Sequence, residues 1–308
     1  MDGTWEERPS GGFIDSKYVQ STIDKICITS TSVSWERGIE MKLGEKKWRP
    51  SAVSEDRTRL LYVFLQDEIP RFAKKRLQLA VANGISVTVA LPIESLFKQN
   101  ISELLASLDA DVLVLNDRDK DRQVDPRNIV TALAEFSVPL SPASRQNIGR
   151  VARSRLGDGT AQERGARLEA LLAFLFTQVS DLKVVERNYR TETEEIDLVL
   201  QVENFSQRVW QALGTPFILV EAKNRKDKAS QQMMSTLLTK LQTNRSTTRI
   251  AFLVSLAGFT EDAKLQELRF STRDTCVVMI GAQELELLIN ATNLDDALET
   301  MVRHALMR

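Results

Sequence analysis

The sequence predicts an α/β protein built as two domains, and three observations carry that expectation. The chain has 308 residues, more than a single core usually organises. In the first half, short apolar runs rich in β-branched residues alternate with helix-length amphipathic stretches. The second half opens on a helix and a strand meander, after which strands and helices alternate again.

Residues 1–20 carry Gly, Pro, Ser and charge without periodicity and read as a flexible lead-in. From there KICITST and RLLYVFL read as strands, DEIPRFAKKRLQLAVANG as a helix and ISVTVAL as a strand. IESLFKQNISELLASLD then reads as a helix and ADVLVLN as a strand. This order predicts parallel βαβ units, so residues 21–136 form a small Rossmann-like α/β domain. No G-x-G-x-x-G turn and no G-x-x-x-x-G-K-[ST] loop occurs, so this domain lacks the usual means of binding a dinucleotide or a P-loop phosphate. It is read as a sensor or partner-binding domain whose ligand no motif names.

Residues 137–161 hold two prolines, three glycines and four arginines with little apolar periodicity, and read as the interdomain connection. Arg145, Arg150, Arg153 and Arg155 are then either a solvated basic linker or an arm that contacts phosphates. Residues 162–308 form the second domain. Gln162–Val179 reads as a helix, LKVVERNY, EIDLVLQV and PFILVEAKN as strands, and QQMMSTLLTKL as a helix. RIAFLVSL is a strand, Thr260–Phe270 a helix and TCVVMIG a strand, followed by helices in GAQELELLINATN and LDDALETMVRHALM. A central mixed sheet flanked by helices is the packing solution.

Composition excludes several function classes. An apolar share of 43% and a charged share of 27% are ordinary for a soluble protein, and no stretch approaches the roughly 20 apolar residues that cross a bilayer. The N-terminus MDGTWEERPSGGF lacks the basic region and apolar run of a secretory signal, so a cytoplasmic address is expected. Cys27 and Cys276 suit reduced buried thiols. With 41 basic and 42 acidic residues the chain is no general polycation, so any nucleic-acid contact is local. The single histidine, His304, lies in the final helix and rules out histidine-dependent triads.

The chemistry lies in Asp197 of EEIDLVLQV and in Glu221-Ala222-Lys223 at the end of FILVEAKN. A carboxylate in an apolar strand is costly to bury unless compensated, and a divalent cation shared by two acids compensates it. Successive strand side chains point to opposite faces, so Glu221 and Lys223 share one face. If the Asp197 strand is the neighbour, two acids hold Mg2+ while Lys223 orients the attacking water and offsets charge on the phosphate. The E-x-K tripeptide alone has little value, since Glu40-Met41-Lys42 and Glu45-Lys46-Lys47 repeat it in a polar, loop-like stretch. Context separates the three: only Glu221 follows an apolar run and has an Asp-bearing strand upstream. Glu194 and Glu195 are alternative ligands if the register slips.

These positions resemble the PD-(D/E)XK phosphodiesterases, in their restriction-endonuclease-like, Mrr-like branch, over residues 162–282. The motifs are RGARLEALLAFLF with Glu169, EIDLVL with Asp197 and VEAKN with Glu221 and Lys223. The chain departs from the motif in having Ile196, not proline, before Asp197. The resemblance implies a restriction-endonuclease-like domain with Mg2+ as cofactor, Mn2+ able to substitute, at a metal site of Asp197, Glu221 and Ala222. Lys223 would assist the water, Glu169 would support the metal or the lysine, and Gln231 at the start of the next helix would stand near the site. Asn224, Arg225, Lys226 and Lys228 at its mouth would hold the phosphate backbone, with Lys240, Arg245 and Arg249 as an extension or a solvated surface.

The resulting expectation is a metal-dependent endonuclease acting on nucleic acid, DNA before RNA, and similar in architecture to bacterial restriction or phage-defence effectors. Its N-terminal domain would respond to an activating ligand or partner protein, and a C2 homodimer would supply a second active site. The alternative is a non-catalytic nucleic-acid or protein-binding module that retains a nuclease fold.

Overall fold

The computed structural model describes residues 16–30, 33–43, 46–65, 69–115, 127–190, 195–203, 208–243, 248–270 and 275–307. Within the lead-in expected at 1–20, residues 1–15 lie outside this set. The chain divides into two compact units, Met1–Ile129 and Val130–Arg308, both of mixed α and β structure. No helix among the described residues is long and apolar enough to cross a membrane.

The first unit begins with α1 (Ser16–Thr29), where KICITST was expected to be a strand. The reason lies upstream of that window. Val19, Ile23, Ile26 and Cys27 recur at helical spacing and pack into one core cluster, so the β-branched end of the segment belongs to a helical stripe. Four short strands follow: β1 (Trp35–Glu36), β2 (Met41–Leu43), β3 (Lys46–Trp48) and β4 (Ala52–Ser54). Met41-Lys42 and Lys46-Lys47 of the two E-x-K repeats therefore lie in strands and not in a loop. β2 pairs antiparallel with β3, and Met41, Leu43 and Trp48 are buried. Glu45 lies outside the described residues.

The unit continues with β5 (Arg59–Val63), α2 (Arg71–Ala82), β6 (Ser86–Pro92), α3 (Ile93–Leu96), α4 (Gln99–Ser107), β7 (Asp111–Leu115) and β8 (Arg127–Asn128). The helix expected over 93–109 is thus two helices, and the buried Ser102 Oγ bridges the break by donating to the Leu96 carbonyl at 2.6 Å. The sheet order is β1-β4-β5-β6-β7-β8. β5, β6 and β7 are parallel, and the flanking pairs are antiparallel.

In the second unit α5 (Ile129–Glu135) is followed by α6 (Pro142–Ser154), inside the segment whose composition reads as a connection. Local chemistry explains the helix. Ser141 Oγ accepts the Ser144 N–H, and Pro142 occupies the first turn, where its missing N–H costs nothing. Tertiary partners fix it. The Gln178 side chain donates to the Val138 carbonyl and accepts from the Leu140 N–H. Arg145, 5% exposed, donates to the Ala291 carbonyl, and Arg150 Nε donates to Asn290 Oδ1 at 2.8 Å.

The remaining elements are α7 (Ala161–Phe176), β9 (Leu182–Arg190), β10 (Glu195–Val202), α8 (Val209–Ala212), β11 (Phe217–Lys223) and α9 (Gln231–Thr243). They continue through β12 (Ile250–Ser255), α10 (Glu261–Phe270), β13 (Cys276–Ile280), α11 (Ala282–Asn290) and α12 (Leu294–Leu306). A capping box at Thr160 and Glu163 starts α7. The sheet order is β13-β12-β11-β10-β9, parallel from β13 to β11 and antiparallel from β11 to β9. Helices cover it on both faces. Leu219, Ala251, Leu253 and Val277 pack with Met234, Leu237, Leu238 and Leu241 of α9, while Phe176 of α7 stacks on Phe252 at 5.3 Å between centroids.

Candidate active site

The antiparallel register of β10 and β11 pairs Leu198 with Val220. The paired register stops there, and Asp197 and Glu221 are the next residues on each strand, brought close where the ladder ends. Lys223, two residues beyond Glu221, joins them. Its Nζ lies 2.6 Å from Glu221 Oε1 and 3.8 Å from Asp197 Oδ2. Asp197 Oδ2 also accepts the Ala222 backbone N–H at 2.6 Å, which ties the two strands together at the site. The side chains of Asp197 and Glu221 are only 13% and 14% exposed.

This environment sets their protonation. Burial raises the Asp197 carboxyl above its ordinary range and the Glu221 charge adds to the rise, partly opposed by Lys223 and the Ala222 N–H. Burial pulls Lys223 down, but Glu221 and Asp197 outweigh it, and the ammonium ends above its ordinary value. Glu169 of α7 is half-buried. Burial first, then the Asp197 charge, raises its carboxyl, while Arg187 and Lys223 hold it partly back. Glu169 therefore stands within electrostatic reach of the pair. Among the described residues, however, no three acidic, cysteine or histidine side chains converge as a ready-made metal cage.

Two residues expected at the site are placed elsewhere. Gln231 is exposed and donates to Gln266 Oε1 of α10 at 3.2 Å, away from the acids. Asn224 turns inward, and its Nδ2 donates to the carbonyls of Leu156 and Arg164, each at 2.8 Å. It braces the corner between α6 and α7 against the end of β11. Arg225, Lys226 and Lys228 are exposed just beyond that strand. Glu194 and Arg245 lie outside the described residues.

The site residue that motif reasoning passed over is Lys240. It was grouped with the outlying cations, yet its Nζ donates to Glu221 Oε2 at 2.9 Å and to the Glu195 carbonyl. Helix geometry explains the exchange with Gln231. At roughly 100° per residue, the two positions lie half a turn apart on opposite flanks of the apolar stripe of α9. Gln231 faces α10, and Lys240 faces the sheet, where Glu221 shares a face with the packed Leu219. The available signal was a lysine bordering Leu237 and Leu241 on that stripe.

Both Glu221 oxygens thus carry an ammonium partner, and Asp197 carries a backbone donor. Two hard-oxygen carboxylates are the donor set that suits a divalent cation such as Mg2+. The chain matches no protein-family model, and no curated protein or solved structure shows significant similarity to it.

Proposed function

We propose that the second unit is a metal-dependent nuclease of the PD-(D/E)XK type with a restriction-endonuclease-like fold, hydrolysing phosphodiester bonds of nucleic acid, DNA before RNA. The observation that carries this reading is the convergence of Asp197, Glu221 and Lys223 from two adjacent strands, with Lys223 Nζ 2.6 Å from Glu221 and 3.8 Å from Asp197. Mg2+, or Mn2+ in its place, held by Asp197 and Glu221 beside Ala222 would supply Lewis acidity and an activated water. Lys223 remains protonated between the acids, so it works as a fixed positive charge and donor toward the phosphate, not as a proton acceptor. Glu169 supports the acids from α7. Arg225, Lys226 and Lys228, exposed just beyond β11, would take backbone phosphates without reading sequence.

The first unit, with three parallel strands joined through α2, α3 and α4, is proposed as a Rossmann-like sensor or partner-binding layer. The nuclease reading is tested with full-length protein, plasmid and single-stranded substrates, and Mg2+. Wild type is expected to cut, with EDTA stopping the reaction and Lys223→Ala or Asp197→Asn lowering the rate at least about a hundredfold. A wild type no faster than Lys223→Ala across these substrates removes the enzyme assignment and leaves the binding-module alternative.

A further inference from the structure

Among the described residues Lys240 is the least exposed charged side chain of the site, at 8%, and at least two acceptors hold it. Its Nζ is bound by Glu221 Oε2 and by the Glu195 carbonyl, one from each of the two strands that bear the acids. Burying an ammonium is costly unless it is paired, and the Glu221 carboxylate and Glu195 carbonyl compensate it here. Lys223 differs. At 21% exposure it has a route to solvent, and it has no carbonyl partner among its described bonds.

Among the described residues the acids already have cationic partners without any metal: Lys223 and Lys240 hold Glu221, and Arg187 and Lys223 lie within electrostatic reach of Glu169, as does the further acid Glu195. A divalent ion entering beside Glu221 adds an excess of positive charge next to two ammonium groups in a poorly solvated place. A phosphodiester anion offsets part of that excess.

Resting on the reading of Asp197 and Glu221 as metal-binding acids, we propose that Lys240 is a built-in counter-ion that makes metal binding depend on the substrate phosphate. The free protein holds its divalent ion weakly because Lys240 already neutralises Glu221. The ion and the phosphodiester bind together, so the metal-loaded, water-activating state forms chiefly where a scissile phosphate is present. Lys223 can turn toward that phosphate, whereas Lys240, tied to both strands, stays on Oε2 and leaves Glu221 a single free oxygen. Lys240 is in this sense a positioning residue and touches no reacting atom.

The test uses full-length protein and Mn2+ as the probe, without nucleic acid, by calorimetry and by thermal melting. Lys240→Met keeps the apolar stem and removes the charge, while Lys240→Arg keeps the charge. Lys240→Met is expected to bind Mn2+ at least about tenfold more tightly than wild type, because one unit of positive charge has left a low-dielectric site. Its melting temperature should be lower without metal and rise more with Mn2+ than that of wild type. Lys240→Arg should behave as wild type. A phosphorothioate oligonucleotide should tighten Mn2+ binding in wild type more than in Lys240→Met.

Should Lys240→Met be too unstable for calorimetry, the melting shift decides: a shift no larger than that of wild type overturns the proposal. A gain in affinity shared by Lys240→Arg also overturns it, because charge is then irrelevant. Equal Mn2+ binding in wild type and Lys240→Met, abolished by Asp197→Asn, removes the counter-ion role alone. Absence of Mn2+ binding in every variant removes the metal site as well.

Discussion

Asn224 offers a sharp contrast between a residue that touches substrate and one that builds the site. Its side-chain amide donates twice, to the Leu156 and Arg164 carbonyls at 2.8 Å each. Asn224→Ala removes both bonds. A typical intramolecular hydrogen bond contributes about 1 kcal/mol net, and a carbonyl left buried without a partner raises the cost. The Arg164 carbonyl keeps its place in the α7 ladder, so its loss is at the low end. The Leu156 carbonyl lies in the turn between helices and loses more. The sum is roughly 2 kcal/mol of stability. Asn224→Asp should cost at least as much, since it removes the donor and sets a carboxylate against two carbonyl oxygens. Urea unfolding followed by far-UV circular dichroism measures the loss. Hydrogen–deuterium exchange locates it, with faster exchange expected across residues 155–165 and little change in the first unit. If Asn224→Ala were neutral in both measurements while weakening nucleic-acid binding and its salt dependence, the bracing argument would be wrong and the residue would be a substrate contact.

Two further predictions concern the same neighbourhood. Asp197→Asn should raise the melting temperature near neutral pH. A carboxyl whose folded-state pKa lies above its unfolded value contributes stability at low pH and loses it as pH rises through the folded value, and the amide has no such loss. Melting as a function of pH tests this: the variant's advantage should grow from acid toward neutral pH, and an advantage that shrank over that range would reverse the sign of the argument. Gly159→Ala should cost about 2 kcal/mol, because Gly159 has φ +83° and a Cβ there would stand 2.5 Å from Glu163 Oε2, the oxygen that accepts the Thr160 N–H in the capping box. Denaturation in a Glu163→Ala background should recover part of that cost, and fully additive losses would show that strain alone is responsible.

The elements that were legible in sequence are those whose apolar pattern is complete within one window. β5, β6, β7, β12 and β13 are short apolar runs bounded by polar residues, and β10 alternates buried with partly exposed residues, so burial leaves its mark directly. Helix α1 is not legible from KICITST alone, because Val19 and Ile23, two of the positions that define its stripe, precede that segment. Helix α6 was misread for a different reason. Its polar and basic composition resembles a linker, but Arg145, Gln146 and Arg150 spend their polar groups on the C-terminal end of α11, far away in sequence. Composition cannot separate an arginine in solvent from one that caps a distant helix.

The same distinction governs the site. Asp197, Glu221 and Lys223 were legible because strand periodicity alone puts Glu221 and Lys223 on one face and a neighbouring strand supplies the aspartate. Gln231 and Lys240 were not, because their meaning depends on which flank of α9 meets the sheet. A stripe of Met234, Leu237, Leu238 and Leu241 fixes the buried side of the helix but leaves two flanks equivalent until the neighbours are known. Once α10 packs beside Gln231, Lys240 must face β11, and a buried ammonium must meet a carboxylate or remain uncompensated. The pairing with Glu221 follows from packing, and the electrical balance of the site follows from the pairing. A second lysine on Glu221 is therefore a consequence of where α9 lies, and its effect on cation affinity is the property that most directly separates a poised catalytic centre from a static ion-pair network.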